Sequence, residues 1–341
     1  MGRRAYISAV GHYVPPKVLT NFDLEKMVDT SDEWIRTRTG IKERRILEPG
    51  KASSDMAAEA VKNLCSQSGT DPMDIDVIII ATVTPDMFFP STGNLVQEKV
   101  GAKNAWSFDV AAACSGFIYS MNIGAQFIKA GTHKKVVVVG TDKMSSITNY
   151  RDRDTCVLFG DAAGAVMLEP TDDEDKGFVD FMLYSDGSGA DYLMMKAGGS
   201  LNPASLSTIA SDWHFIYQDG KSVFKFAVTK MAEVSATILE RNNVKGEEIK
   251  LFIPHQANLR IIDAAAKRAN ITPDKVMINI NRYGNTTAAT IPLALSEAYQ
   301  MGRLDTGDKV LFATFGGGFT WGSALCKWVL PKPENPISFD E

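Results

Sequence analysis

The sequence has few of the residues that hold structural metal ions or disulfide bonds. Its 341 residues include four cysteines and four histidines, and no two cysteines are spaced as Cys–x–x–Cys. This scarcity argues against a structural zinc site. Scattered cysteines in a long chain without a signal sequence predict reduced thiols and a cytoplasmic protein.

Long apolar runs and an excess of positive charge are also missing. No apolar run reaches the roughly 18 residues that a membrane span requires, and the stretch Ala5–Val10 after Arg3 and Arg4 is too short for a signal peptide. The net charge is −5, whereas proteins that bind nucleic acids usually carry a basic excess. We therefore expect neither a membrane nor a nucleic acid as partner.

The composition that is present is that of a globular protein. Apolar residues make up 45% of the chain and charged residues 23%, and the length allows two packed cores. Three prolines follow the last apolar run, so residues 331–341 are predicted to form a flexible tail.

The chain repeats itself. The segments Asp74–Ile80 and Lys135–Val139 recur as Glu248–Ile253 and Lys309–Phe312, with the same spacing within each pair (135 − 75 = 309 − 249 = 60). The offset between the two halves is therefore 249 − 75 = 174. Two helical patterns recur near the same offset, Asp55–Gln67 with Thr229–Arg241 and Phe117–Ala130 with Ala289–Met301, and the strand Ala162–Leu168 has a shifted counterpart at Gly322–Trp328. Alternating strands and helices predict a duplicated α/β protein with halves at residues 1–176 and 177–330.

Cys114 lies where a predicted strand turns into a helix. Small residues surround it in Ala111–Gly116, which leaves room for a ligand to approach the sulfur. A thiol at a helix N-terminus is expected to have a lowered pKa, as a covalent acyl acceptor requires. The alternative is a buried structural cysteine, which is the interpretation given to Cys65, Cys156 and Cys326.

Two further polar residues and a glycine run occupy similar turns. His255 ends the strand before it, and Asn285 falls, by the offset, in the turn equivalent to that of Cys114. The run Phe315–Phe319 contains three glycines, whose backbone N–H groups could approach an oxyanion. Each feature alone also allows a simpler interpretation. His255 could be a structural histidine, Asn285 could belong to an ordinary Gly-Asn turn, and the glycine run could be a flexible loop.

Taken together, these motifs resemble the β-ketoacyl-acyl-carrier-protein synthase III family over roughly residues 5 to 329. The matching segments are Thr30–Ile35, Thr37–Ile41, Ala111–Gly116, Phe159–Ala165, His255–Arg260, Gly284–Thr286 and Phe315–Leu325. Two segments depart from the family pattern: Ser185–Gln218 is longer than usual, and the tail after Leu330 is additional.

The resemblance implies a thiolase-like fold with five layers, αβαβα, assembled as a homodimer. It also implies a decarboxylative Claisen condensation of an acyl-CoA primer, by default acetyl-CoA, with malonyl-acyl-carrier protein, which starts type II fatty acid synthesis. The scheme requires no metal or organic cofactor.

The resemblance assigns roles to individual residues. Cys114, His255 and Asn285 would be catalytic, with the backbone N–H groups of Cys114 and Gly317 forming the oxyanion hole. Coenzyme A is expected to contact Trp34, Arg38, Arg153 and Asn258. A basic patch on one predicted helix is expected to dock the acidic carrier protein, and it consists of Arg260, Lys267 and Arg268.

Three alternatives stay open at this point. A related synthase could use another primer in secondary metabolism, with Met87, Phe88 and Phe89 in its pocket. A cysteine hydrolase also uses Cys, His and Asn, although its local signature differs. A non-catalytic CoA-binding or scaffold protein would not need the intact trio.

Overall fold

The computed structural model describes residues 3–339, which form thirteen strands and eleven α-helices. The strands are β1 Arg4–Tyr13, β2 Lys17–Thr20, β3 Glu43–Ile46, β4 Val77–Ala81, β5 Trp106–Val110, β6 Val136–Lys143, β7 Asp161–Thr171, β8 Gly177–Ser185, β9 Leu193–Met195, β10 Ile216–Gln218, β11 Leu251–Pro254, β12 Lys309–Gly316 and β13 Thr320–Lys327. The helices are α1 Asn21–Leu24, α2 Asp32–Thr39, α3 Ser53–Ser68, α4 Thr92–Val100, α5 Gly116–Lys129, α6 Arg153–Cys156, α7 Leu206–Ala210, α8 Gly220–Arg241, α9 Leu259–Arg268, α10 Ile280–Tyr283 and α11 Thr290–Gln300.

The first large sheet has five strands in the order β1-β7-β6-β4-β5. Strands β5, β4 and β6 run parallel, whereas β7 is antiparallel to both β6 and β1. Every residue of β4 is buried. Continuous Val and Ile runs are typical of a strand whose two faces are both covered by helices.

The second large sheet repeats this arrangement. Its order is β11-β12-β13-β8, which corresponds to β4-β6-β7-β1 of the first sheet. Val77 pairs with Val136 in the first sheet, and Leu251 pairs with Val310 in the second. Each residue of the second pair lies 174 positions after its counterpart in the first, which is the offset found in the sequence (251 − 77 = 310 − 136 = 174). The counterpart of β5 is reduced to a single bridge between Phe252 and Val276. The predicted duplication is confirmed.

Three large cores hold five layers together. The central core joins residues of both sheets to the helices between them, α5 and α11. One outer core packs α3 and α4 against the far face of the first sheet, and the other packs α8 and α9 against the second. This is the αβαβα order of a thiolase-like fold, as predicted.

Two element predictions need correction. Helix α8 begins at Gly220, nine residues before the predicted start (229 − 220), because Asp219 caps it by accepting a hydrogen bond from the Ser222 N–H at 3.1 Å. The final strands have a smaller offset (326 − 168 = 158), since Leu168 pairs with Val136 and Cys326 with Val310. The difference arises because residues 144–160 connect β6 to β7, whereas residues 317–319 alone connect β12 to β13.

The segment after β13 follows the protein body. The Ile337 N–H donates to the Gln300 carbonyl at 2.9 Å, and the Arg282 guanidinium lies 5.2 Å from the Phe339 ring. The flexible tail at residues 331–341 stays a prediction, and residues 340 and 341 lie outside the described residues. Of the helices between residues 3 and 339, none combines the length and apolarity needed to cross a membrane.

Candidate active site

A largely apolar cavity of about 660 Å³ connects the predicted catalytic residues with the protein surface. Cys114, His255, Asn285 and Gly317 all line it, and Trp34 lines it as well. Both halves of the chain therefore contribute to one site, as the sequence predicted.

Cys114 lies on a tight connection between β5 and α5, the first elbow (residues 111–116). Ala113 there has φ 46°, a left-handed conformation that is uncommon for a residue with a side chain. Gly316 approaches so closely that a Cβ atom on it would lie 2.8 Å from the Cys114 nitrogen. Alanine and glycine therefore allow the sulfur to lie in the cavity wall, where Cys114 is 7% exposed.

The predicted lowering of the Cys114 pKa is wrong in direction. Burial raises the pKa of the thiol well above its ordinary value, and the carboxylate of Asp142 raises it further. Loss of hydration is the largest cause, because it disfavours the charged thiolate. The sulfur is therefore a neutral thiol near pH 7.

Asn285 lies on the equivalent connection before α11, the second elbow (residues 284–290). Thr287 has φ 53° and is the repeat counterpart of Ala113 (287 − 113 = 174), so the strained position recurs in both halves. The Thr287 N–H donates to Oδ1 of Asn285 at 2.9 Å. Because Oδ1 is held in this way, the Nδ2 amide remains as the donor that Asn285 can offer to a ligand.

A buried polar network supports the second elbow from behind. Glu297 of α11 is fully buried and accepts hydrogen bonds from Asn279, Arg282 and Tyr283 at 2.9, 2.7 and 2.6 Å. These three residues lie in or beside α10, the helix that leads into Asn285. A buried carboxylate with three donors thus fixes the approach to the elbow.

His255 follows directly after β11. Its N–H donates to the Ala313 carbonyl of β12 at 2.8 Å, and only 2% of the residue is exposed. Burial lowers the pKa of the imidazole to about 3, so it is neutral near pH 7. Its Nδ1 atom lies 2.7 Å from the Thr290 hydroxyl, which in turn lies 3.0 Å from the Thr287 carbonyl.

The glycine run is a fixed turn between β12 and β13. Phe319 and Asp186 exchange two backbone hydrogen bonds, at 2.6 and 2.8 Å, and the Phe319 ring is buried against Phe226 and Phe315. Gly317 lines the same cavity as Cys114. These contacts hold the end of the glycine run against the protein body.

The predicted CoA-binding residues gather at the cavity entrance. The guanidinium groups of Arg38 and Arg153 lie 4.8 and 4.6 Å from the centre of the Trp34 ring. Asn258 caps α9, accepting from the Arg260 N–H at 3.0 Å and donating to the Arg38 carbonyl at 2.9 Å. Trp34, Arg38 and Asn258 line the cavity, and Arg153 lies over the Trp34 ring.

The predicted docking patch lies on α9, with all three basic side chains exposed. Arg260 lines the cavity entrance, with its guanidinium 4.7 Å from the centre of the Phe224 ring. Lys267 and Arg268 follow in the last turn, roughly 10 Å farther along the helix. Lys221, which sequence reasoning missed, adds another cation at the same entrance.

Met87, Phe88 and Phe89, suggested for the pocket, lie outside it in this single chain. They are 48%, 81% and 84% exposed, respectively. Sequence reasoning also missed Thr290, Glu297 and Asp142. The signal for Thr290 and Glu297 is weak, because their roles depend on contacts across the fold.

A cysteine, a histidine and an asparagine facing one apolar cavity between two thiolase-like halves define a condensing acyltransferase. Two family models match, 3-oxoacyl-[acyl-carrier-protein] synthase III over residues 108–187 and its C-terminal domain over residues 239–328. A relative from Solibacter usitatus, a β-ketoacyl-[acyl-carrier-protein] synthase III, is 57% identical over 95% of this chain and 99% of its own. The chain belongs to the β-ketoacyl-[acyl-carrier-protein] synthase III family.

Solved structures agree with this assignment. The 3-oxoacyl-[acyl-carrier-protein] synthase III of Aquifex aeolicus has a TM-score of 0.87 at 46% identity, covering 95% of this chain and all of that one. A priming β-ketosynthase from the R1128 polyketide pathway has a TM-score of 0.90 at 31% identity, covering 97% and 98%.

Proposed function

We propose that this chain condenses an acyl-CoA primer with malonyl-acyl-carrier protein, releasing CO₂ and CoA and forming a β-ketoacyl-carrier protein. The observation that carries the proposal is the meeting of Cys114, His255 and Asn285 in one cavity whose entrance is basic and aromatic. The relatives that share about half of the sequence or more have the same synthase name.

In the first half-reaction the Cys114 sulfur attacks the thioester carbonyl of the primer. The backbone N–H groups of Cys114 and Gly317 stabilise the tetrahedral oxyanion. The bond between the acyl carbon and the CoA sulfur then breaks, and CoA leaves with the proton that the thiol gave up. The product is acyl-Cys114.

In the second half-reaction the malonyl group loses CO₂, and its thioester oxygen gains the charge of an enolate. Nε2–H of His255 and the Nδ2 amide of Asn285 donate to that oxygen. The imidazole has its proton on Nε2 when the Thr290 hydroxyl donates to Nδ1. The enolate carbon attacks acyl-Cys114, the bond between the acyl carbon and the Cys114 sulfur breaks, and the thiolate takes up a proton from solvent.

The two substrates bind at the same entrance. Trp34, Arg38 and Arg153 suit a nucleotide, because the indole can stack on a base and the guanidinium groups can pair with phosphates. Asn258, which lines the same cavity, contacts the pantetheine arm in this proposal. Arg260, Lys267 and Arg268 attract an acidic carrier protein to this face.

The primer we propose is acetyl-CoA, with the reaction starting fatty acid synthesis in the cytoplasm. The alternative of a secondary-metabolite synthase is less favoured, because the polyketide enzyme shares 31% of the sequence and the Solibacter relative 57%. The scheme uses no metal ion or organic cofactor.

A homodimer is part of the proposal. Strand β5 is an edge strand of the five-stranded sheet, and Trp106 at its start is 46% exposed while stacking on Phe108 at 5.4 Å. An apolar edge strand favours pairing with a second chain. Met87, Phe88 and Phe89 add exposed apolar surface to the same half.

A primer panel tests the proposed activity. Protein is incubated with acetyl-, isobutyryl-, octanoyl- or benzoyl-CoA and malonyl-carrier protein, while free CoA and the condensed product are quantified. We expect acetyl-CoA to give the highest rate of condensation. A marked preference for another primer would favour the alternative synthase, and CoA release without a condensed product would indicate a hydrolase.

A further inference from the structure

The two elbows are equivalent by the repeat, but they meet different residues of the facing strand. Cys114 of the first elbow corresponds to Ala288 of the second (288 − 114 = 174). Strand β12 approaches the first elbow and β6 the second. Asp142 lies six residues after Val136 in β6, and Gly316 lies six residues after Val310 in β12, so the two positions are equivalent by the repeat. Asp142 pairs with Ala162, and Gly316 pairs with Thr320.

These equivalent positions carry opposite chemistry. Gly316 lies against the Cys114 nitrogen and, lacking a side chain, leaves room beside that amide. Asp142 places a carboxylate there instead, and its Oδ2 accepts a hydrogen bond from the Ala288 N–H at 3.1 Å. The amide that corresponds to the oxyanion donor of the first half is therefore bound by a protein side chain in the second.

The other oxygen of Asp142 holds the end of β4. Oδ1 accepts hydrogen bonds from the Thr82 hydroxyl at 3.1 Å, the Val83 N–H at 2.8 Å, and the N–H and hydroxyl of Thr84 at 3.2 and 2.9 Å. Asp142 is fully buried. One carboxylate thus joins the first sheet to the second elbow across the boundary between the halves.

We propose that Asp142 is a positioning residue for decarboxylation, fixing the second elbow so that Asn285 reaches the enolate oxygen. Consecutive amides of the elbow are involved, because Thr287 N–H binds Asn285 and Ala288 N–H binds Asp142. A shift of Ala288 would therefore move Asn285. This inference rests on the proposed function.

The charge of Asp142 has a second measurable effect, on the pKa of Cys114. Burial raises the pKa of Asp142 to about 6, so the carboxylate is ionised at pH 7.5, and its charge raises the pKa of Cys114. The titratable and charged groups on the surrounding elements include Cys114, His255, Asp55, Asp86, Lys143 and Asp161.

Four of these six groups bind other partners. Asp55 pairs with Lys99, Asp86 accepts from Ser54, Lys143 donates to the Lys51 carbonyl, and Asp161 accepts from Ser145. His255 is neutral near pH 7. Asp142 is the carboxylate whose charge perturbs the thiol.

The test is Asp142→Asn, which keeps the shape and removes the charge. One amide oxygen can still accept the donors at the end of β4, but the NH₂ group then faces the Ala288 N–H. We expect decarboxylation of malonyl-carrier protein to slow about 10- to 100-fold, as small misplacements in active sites do, with acylation of Cys114 changing less than about threefold. Alkylation of Cys114 by iodoacetamide should begin at lower pH, because the negative charge is gone.

Two further variants distinguish the position of the carboxylate from its charge and from a general effect on stability. Asp142→Glu keeps the charge but moves the oxygens by one methylene, so it should slow decarboxylation without shifting the alkylation profile. If Asp142→Asn does not fold, Asp142→Glu still tests the positioning role. Thr82→Val removes one donor to Oδ1 and keeps the Ala288 contact, so the ratio of the two half-reactions should stay at the wild-type value.

The outcomes are distinct. Equal losses in both half-reactions, or wild-type rates in Asp142→Asn, would overturn the role of Asp142 while leaving the proposed function intact. An alkylation profile that does not move in Asp142→Asn would overturn the electrostatic part. Wild-type protein that forms no acyl-Cys114 would overturn both the inference and the proposed function.

Discussion

The Thr290 hydroxyl lies 2.7 Å from Nδ1 of His255, and Thr290 stands five residues after Asn285 on the same elbow. The hydroxyl has one proton and two neighbours that can accept it, Nδ1 and the Thr287 carbonyl at 3.0 Å. Its direction decides which imidazole nitrogen has the proton. One residue therefore links the two donors that we propose to stabilise the enolate.

Thr290→Val tests this link, because valine keeps the shape and removes the hydroxyl. We expect decarboxylation to slow on the order of 10-fold, since the imidazole loses its orientation but remains present. Thr290→Ser should restore most of the rate. Steady-state rates with malonyl-carrier protein check this, and equal activity of the valine and serine variants would exclude a role for the hydroxyl.

Asn285→Asp separates the two half-reactions. An acceptor with a negative charge would replace the Nδ2 donor beside an oxygen that must itself become negative. Loss of one preorganised donor costs about 10²–10³ in rate, and repulsion should add to this. Acetyl-Cys114 should still form.

Single-turnover acylation and CO₂ release are measured on one preparation, with the fold checked by circular dichroism. An equal fall in both steps would make Asn285 a general structural support.

The patch on α9 makes a prediction about the carrier protein. Arg260→Glu with Lys267→Glu should raise KM for malonyl-carrier protein and weaken its salt dependence, whereas acylation by the primer should change less. Lys62→Glu is the matched control, since it reverses an exposed charge on α3, the outer helix of the opposite sheet. An unchanged KM in the double variant would remove this patch from the docking surface.

Burial of His255 predicts how stability depends on pH. The folded protein holds the imidazole neutral down to about pH 3, whereas the unfolded chain binds a proton near pH 6.5. The unfolded state binds more protons between these values, so stability falls as pH falls, by about 1.4 kcal/mol per pH unit well below pH 6.5.

The measurement compares the wild type with His255→Asn by urea unfolding at pH 7 and pH 5. Burial of Asp142 acts in the opposite direction but is common to both proteins, so it cancels in the difference. The wild type should lose more stability than the variant. Equal losses would contradict a buried neutral His255.

Local patterns in the sequence were enough to predict the duplicated fold and the three catalytic candidates. The constant offset between the halves can be read directly from the sequence. Cys114, His255 and Asn285 each lie at a strand end or turn that the offset matches to one in the other half. The predicted direction of the Cys114 pKa shift was wrong, because the hydration of the thiol depends on its burial. The position of a residue at a helix start does not determine that burial. Asp142 and Glu297 could not be found, since their partners are distant in sequence and meet only in the fold.

The most direct test follows one acetyl group through the reaction. Protein is loaded with ¹³C-acetyl-CoA, freed of excess primer and mapped by mass spectrometry, and malonyl-carrier protein is then added. We predict a single labelled acetyl group on Cys114 that disappears as labelled acetoacetyl-carrier protein forms. Label on Cys65, Cys156 or Cys326, or condensation by Cys114→Ala at the wild-type rate, would contradict the account.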